Sequence, residues 1–530
     1  VNSVFGGVAV SLVCIATVLI GTYGLRLSRT TSDFYVASRG VGTTMNASAI
    51  SGEYLSAASF LGIAGLVLAR GVDTLWYPVG WTAGYLLLLV FVAAPLRRSR
   101  AYTLPDFAEF RLESRAPRRV ASVLVVLIGL LYLVPQFQGA GLTLRALTGA
   151  PTWAGAVLVA AVVLVNVVSG GMRSITIAQA FQYWLKLVAL LFPAILLVRS
   201  WHLAGGPTTP LNQSAWFEPL QGPYSLYLTY SLILATFLGT MGLPHVVVRF
   251  YTNRDGRAAR RTTVRVLVML SAFYLLPTLY GVLGRVYASD LIGSGRADSV
   301  VLELPQRMLG GAGGDLLTAL LGAGAFAAFL STSSGLVVSV AGVLAQDVAS
   351  RRFDGVRAFR VCGVLTAATV LLLTVLSSGL AVAHAVELAF AVAASTFCPL
   401  LLLGIWWRGL TARGAVSGLV VGGATSVSAV LAVMLGATPG GWGGALLAQP
   451  ATRLCHHDPR QPAHRAVGAG QRGEHDGASA RTRGDRSRSR QLQPQGRGQL
   501  NRLLRSSRQI DRSSQCDPAH IDATAAFGAD

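Results

Sequence analysis

Apolar runs of about twenty residues recur along the chain, separated by short polar segments. A helix of that length spans about 30 Å, the thickness of a bilayer's hydrocarbon core. The pattern predicts twelve crossings: residues 4–25, 44–69, 74–96, 119–148, 152–168, 174–199, 224–249, 261–288, 312–348, 358–380, 383–405 and 413–436. The expected fold class is an all-α polytopic membrane protein. The first run is too long for a signal-peptide core and lacks a basic leader and a cleavage site, so it is read as the first crossing.

Two runs break the pattern. The second contains "AISGEYLSAAS" (49–59), with Glu53 among serines and a glycine where a lipid-facing helix carries Leu and Val. The seventh contains "ATFLGTMGLPH" (235–245), with Gly239, Gly242 and Pro244 in mid-span. Gly and Pro weaken a helix, and backbone groups freed in lipid are costly unless something binds them. The two interrupted runs lie five apart. Interrupted helices at matching places in two halves are the mark of a secondary transporter built from inverted repeats. The repeats would cover about 44–199 and 224–405, within a transmembrane domain of residues 1–436.

The polar segments set the orientation. "RRSR" (97–100), "ESRAPRR" (113–119), "RDGRAARRTTVR" (254–265) and "ASRRFDGVRAFR" (349–360) are basic and fall on one side if the crossings alternate. The positive-inside rule makes that side cytoplasmic and puts the N-terminus outside a cell membrane. Composition agrees: of 530 residues 52% are hydrophobic and only 13% charged, against about 25% charged in soluble domains. The net charge of +21 therefore reads as cytoplasmic loops, not as specific nucleic-acid binding. Lys186 is the only lysine, and the wealth of Arg, Ala, Gly and Val suggests a GC-rich bacterial genome.

Five cysteines lie without paired spacing and suggest neither disulfides nor a zinc site. No Walker loop, HExxH or GxSxG motif occurs, so ATP-driven transport and familiar hydrolytic chemistry have no footing and no enzyme is expected. The chemistry lies instead in the ninth run, "GAGAFAAFLSTSSGLVVSVAGVLAQD". A helical carbonyl keeps a second lone pair. The Ala328 carbonyl and the hydroxyls of Ser331 and Thr332 can thus face one oxygen-lined space, sized for a hard cation such as Na⁺. An unwound stretch of the second run, around Ala47 to Ile50, would complete the shell. The competing reading has these hydroxyls back-bonding to their own helix or joining neighbouring helices.

Several stretches resemble the sodium:solute symporter family, within it the acetate and monocarboxylate permease branch. They are "SDFYVASR" (32–39), "GEYLSAASFLGIAGLV" (52–67), "GGMRSITIAQAFQYW" (170–184), "GLPHVVVRFYT" (242–252), "AFAAFLSTSSGL" (325–336) and "LAFAVAASTFCPLLLLGIWW" (388–407). The resemblance implies inverted five-helix repeats of the leucine-transporter type, usually within thirteen spans, and Na⁺ as the co-transported ion. The implied Na⁺ ligands are the carbonyls of Ala47, Ile50 and Ala328 and the hydroxyls of Ser331 and Thr332. Sugar- and proline-transporting relatives carry an aspartate where this chain has Gln179, and a polar residue where it has Ala49. Both departures argue against a sugar or proline as substrate.

Glu53 is open to two readings: it faces a central cavity and couples to a cation or proton, or it hydrogen-bonds a neighbouring helix. An anionic substrate suits half-helix N-termini, where N–H groups point outward. Ser51–Gly52 and Gly239–Gly242 offer such backbone; Glu53, between Gly52 and Tyr54, would join that cavity on the first of its two readings, though an anion would not sit beside it ionised. Gln136, Thr236, Thr240 and Tyr54 can add donors. His245 and Lys186 are alternative cationic partners, His245 also reading as a cap on the break and Lys186 as a snorkelling side chain.

After Gln449 the sequence loses apolar periodicity and becomes rich in Arg, Gly, Gln and His. Residues 437–530 are read as a polar basic tail, either a disordered frameshift product of a GC-rich gene or an arginine-rich segment for RNA or membrane surfaces. Val1 fits a GTG start read literally. Three functions follow: a Na⁺-coupled carrier of a small monocarboxylate (or of another small solute, or coupled to H⁺), a sensor on a carrier fold, and the inactive product of a damaged gene. The bilayer is the only partner expected besides the substrate.

Overall fold

Helices start where the sequence offers caps. Ser114 accepts from the Ala116 amide, Asp255 from the Ala258 amide, and Thr103 and Asp106 form a capping box ahead of a short amphipathic helix. In the computed structural model, the described residues are 3–23, 37–207, 214–218, 220, 225–376 and 382–434. All lie in the first of two units of the chain, Val1–Pro459. The tail of 437–530 and the reading of its origin lie outside the described residues.

The helices that matter here are α1 (Ser3–Tyr23), α2 (Thr43–Tyr54), α3 (Ile63–Arg70), α4 (Trp76–Leu87), α5 (Leu104–Leu112), α6 (Arg115–Thr148), α7 (Thr152–Leu203), α8 (Ser225–Gly242), α9 (Pro244–Val248), α10 (Gly256–Tyr287), α11 (Val300–Leu309), α12 (Gly311–Asp347), α13 (Gly355–Leu376), α14 (Val382–Trp406) and α15 (Ala412–Met434). Among the described residues, nine helical stretches are long and apolar enough to cross a membrane, not twelve. The difference lies mainly in fused elements. The 52 residues of α7 form two helical arms that meet at a kink, where Gly171 leaves the helical region (φ 54°, ψ −151°). The runs predicted at 152–168 and 174–199 are its two arms. Residues 58–98 likewise join the end of the second run to the third.

Both interruptions exist, one of them displaced. Helix α8 ends at Gly242, Leu243 is extended (φ −67°, ψ 117°), and Pro244 opens α9. Helix α2 runs unbroken through Ala47 and Ile50, where unwinding was expected, and stops at Leu55 (φ −73°, ψ 84°) before a π-turn over Ala58–Gly62.

Packing has the symmetry expected of the two repeats. Helix α2 packs on α7 and α10; α8 packs on α14 and α4, the matching elements of the other half. Helix α12 is buried over nearly its whole length against α6, α7, α13 and α1. The four basic segments gather at one end. Arg97, Arg98, Arg100 and Arg254 line one pocket of about 510 Å³, and Arg100, Arg118 and Ser350 line a second of about 580 Å³.

Candidate functional site

The end of α2 frees backbone carbonyls deep in the protein, and three side chains collect them. Lys186 Nζ donates to Gly52 O (2.5 Å), Leu55 O (2.8 Å) and Ser331 Oγ (2.8 Å). Ser331 Oγ is placed to donate to Gly52 O (2.7 Å) or to Ala328 O (3.1 Å), and Thr332 Oγ1 donates to Glu53 O (2.7 Å). These partners explain why the helix breaks at Leu55 and not earlier: the orphaned carbonyls are those that α7 and α12 can satisfy. Lys186 is fully buried, so it does not snorkel. Gly52 lets α2 approach this closely, since a Cβ there would overlap the Gln179 carbonyl.

One residue on, Glu53 Oε2 accepts from Arg249 Nε at 2.5 Å, and both side chains are 1% exposed. Arg249 also donates to Thr176 Oγ1 (2.9 Å) and to Gln179 Oε1, while Gln179 Nε2 donates to Ser331 O (2.7 Å). One guanidinium thus links α2, α7 and the turn after α9, and Gln179 carries the link on to α12. The second carboxylate oxygen, Glu53 Oε1, is buried without a partner. Room for it exists because residue 335 is glycine; any Cβ there would overlap the carboxylate.

Beyond the break the packing is aromatic. Phe390 of α14 meets Tyr54 (ring centroids 6.3 Å apart), Trp81 (5.8 Å) and Tyr132 (6.0 Å). Tyr54 OH pairs with Thr240 Oγ1 (2.7 Å) and donates to Trp81 O (3.2 Å), joining the two interrupted spans. Gln136 Oε1 accepts the Ala57 amide at 3.1 Å, leaving Gln136 Nε2 buried without a partner, as are Trp81 Nε1 and Tyr85 OH.

Other predicted site residues are placed differently. The Thr236 hydroxyl back-bonds to Leu232 O (2.7 Å) and Ile233 O (3.1 Å). Gly239 and Gly242 pack against the backbone of α14 at Phe390 and Ala393, which close helix contact requires. Ser51 Oγ reaches only Met269 Sδ, at 3.9 Å. His245 does not cap the break: Leu243 holds the cap position, and both His245 ring nitrogens are buried without partners beside Tyr132 (5.3 Å).

The model of the sodium:solute symporter family matches residues 34–422. The chain belongs to the sodium:solute symporter family. It is 32% identical over 451 residues to the "Uncharacterized symporter YwcA" of Bacillus subtilis, covering 81% of this chain and 86% of that one. It is also 32% identical over 466 residues to the "Monocarboxylic acid transporter" of Corynebacterium glutamicum, covering 80% and 83%. Among solved structures, a substrate-bound, outward-open Na⁺-coupled sialic acid symporter matches at TM-score 0.65 and 16% identity, over 86% of this chain and 98% of that one. Mhp1, a nucleobase-cation-symport-1 family transporter in a closed conformation, matches at TM-score 0.52 and 16% identity, over 79% and 94%. The fold is thus that of a membrane symporter, and the protein is a transporter, not an enzyme.

Ser331 and Thr332 face the end of α2, and their hydroxyls bond Gly52 O, Glu53 O and, within α12, Ala328 O, the contacts of the helix-joining reading. Ala47 and Ile50 sit inside α2, where helical carbonyls still keep a second lone pair. Arg249 escaped the sequence reading although "GLPHVVVRFYT" contains it. The signal was available: a carboxylate in one interrupted span calls for a buried cation, and Arg249 closes the other.

Proposed function

We propose that this symporter carries a small monocarboxylate, of the acetate, propionate or pyruvate kind, into the cell with Na⁺ as the co-transported ion. Na⁺ would bind Ser331 Oγ, Thr332 Oγ1 and the carbonyls of Ala328, Ala47 and Ile50, and so fasten α2 to α12. The basic end would face the cytoplasm. The observation that carries the substrate class is the unpartnered N–H of Gln136 beside the break, with Trp81 Nε1 and Tyr85 OH also free of partners. A buried donor without an acceptor is costly, and a carboxylate supplies acceptors. Glu53 does not repel the anion, because Arg249 neutralises it. The Corynebacterium relative, a monocarboxylic acid transporter by name, supports the same class.

The test is uptake of labelled acetate, propionate and pyruvate into vesicles under imposed Na⁺ or pH gradients, with unlabelled glucose and proline as competitors. Na⁺-stimulated uptake that short acids inhibit supports the reading. Inhibition by glucose or proline alone overturns it.

A further inference from the structure

The transport reading leaves Lys186 without a role. It is the only lysine in 530 residues, and it lies wholly buried on α7. An ammonium has three donors and no acceptor. Here all three are used, on Gly52 O, Leu55 O and Ser331 Oγ, at 2.5 to 2.8 Å. Ser331 directs its own proton towards Gly52 O or Ala328 O. Its lone pair therefore faces Nζ, as it would face a metal ion. Three oxygens around Nζ make the seam between α2 and α12 a place built for one positive charge.

We propose that Lys186 is a tethered monovalent cation that competes with Na⁺ for this seam. Without Na⁺, the ammonium joins α2 to α12 and satisfies the carbonyls freed at the break. When Na⁺ enters, it takes the Ser331 hydroxyl and the ammonium withdraws on its flexible four-carbon stem. Two unit charges sharing one hydroxyl oxygen in a buried site repel strongly, so both cannot stay. Glu53 Oε1, buried without a partner one residue beyond Gly52, offers the displaced ammonium an acceptor. Such a tether sets a low Na⁺ affinity and keeps the seam closed in the empty carrier. The inference rests on the Na⁺-coupled reading above.

The experiment measures ²²Na⁺ binding to the purified full-length protein and to Lys186→Met, Lys186→Gln and the Ser331→Ala/Thr332→Ala double variant. Removing the tethered charge is expected to tighten Na⁺ binding about tenfold or more, and removing the two hydroxyls to abolish it. Lysine-selective ¹⁵N labelling adds a readout on the wild type, where one lysine gives one side-chain nitrogen resonance. That resonance should shift saturably with NaCl and not with choline chloride. Unchanged Na⁺ affinity in both Lys186 variants, or an unmoved resonance at saturating Na⁺, overturns the competition; loss of binding in the hydroxyl variant would then still uphold the Na⁺ site. If no form binds Na⁺, the coupling reading falls and the competition with it. If the Lys186 variants do not fold, the wild-type resonance decides.

Discussion

Arg249 Nε lies 2.5 Å from Glu53 Oε2, and neither side chain reaches solvent. The pair ties the turn after the second interrupted span to the last turn of the first. Taking either charge away leaves the other buried and uncompensated, which costs about 3–5 kcal/mol. Glu53→Met and Arg249→Met are each expected to lower unfolding stability in detergent by that order. The double variant should lose far less than the sum, since a well-packed apolar pair often replaces a buried ion pair at little cost. Transport should fail in all three. Strictly additive losses in the double-mutant cycle would show that the two side chains do not act as a pair.

Gly335→Ala tests the same site without touching a charge. The added methyl would overlap the Glu53 carboxylate, so the side chain must leave its present position against Arg249. Overpacking of this kind costs about 1–3 kcal/mol, and uptake is expected to fall sharply. Adding Glu53→Asp, one methylene shorter, should restore part of both stability and uptake. A fully active Gly335→Ala protein would mean that Glu53 does not need its present position.

Apolar run length and basic segments made the membrane fold legible, because both follow from transfer energies that act locally. The two interruptions were legible for the same reason: Pro244 and Glu53 are expensive in an ordinary span. The site of the first break was not. Which carbonyls of α2 go free is decided by Lys186, Ser331 and Thr332, which reach them from two other helices. Arg249 was missed because an arginine closing an apolar run looks like an ordinary flanking charge. Trp81 and Phe390 looked like any aromatic in a span, and only the fold brings their rings into contact, 5.8 Å between centroids, beside the break. The runs at 152–168 and 174–199 were legible as two helices, and Gly171, whose backbone is not helical, is where they meet.

Outside the spans, Asp290 receives two bonds from Arg307, at 2.5 and 2.9 Å. Those hydrogen bonds hold its carboxyl below the ordinary carboxylate value of 3.8. A depressed value means that the unfolded segment binds the proton more readily than the folded one. The contribution is therefore fully present above that ordinary value and is lost as pH falls through the depressed one. Amide hydrogen exchange across 288–309 should show wild type losing protection relative to Asp290→Asn only in strong acid. An equal difference at neutral and acid pH would assign the effect to packing.

The two hydroxyls next to Ala328 carry the coupling prediction. Ser331→Ala with Thr332→Ala removes two oxygens from the cation shell and two bonds between α12 and the end of α2. Each neutral bond is worth about 1 kcal/mol, and the Lys186 N–H left without Ser331 Oγ adds about 1–3 kcal/mol or more, so the amount of folded, inserted double variant is measured alongside uptake. Its uptake should lose Na⁺ stimulation altogether. Na⁺ dependence equal to wild type would remove Ser331 and Thr332 from the cation site.

Gln136 separates anchoring of the break from recognition of the substrate. Its Oε1 holds the Ala57 amide at 3.1 Å, while its Nε2 has no partner. Gln136→Leu abolishes both functions and orphans a buried N–H, at about 1–3 kcal/mol. Gln136→Glu is more informative. It keeps an oxygen for Ala57, so the break should persist, but it exchanges a free donor for a carboxylate. A monocarboxylate then meets an acceptor of like charge where it needs a donor. The half-saturation concentration for acetate or propionate uptake should rise about tenfold or more, a loss of roughly 1.4 kcal/mol or greater, with protein yield and ²²Na⁺ binding little changed. Uptake in Gln136→Glu as tight as in wild type would exclude an anion bound at this side chain and move the substrate away from the break.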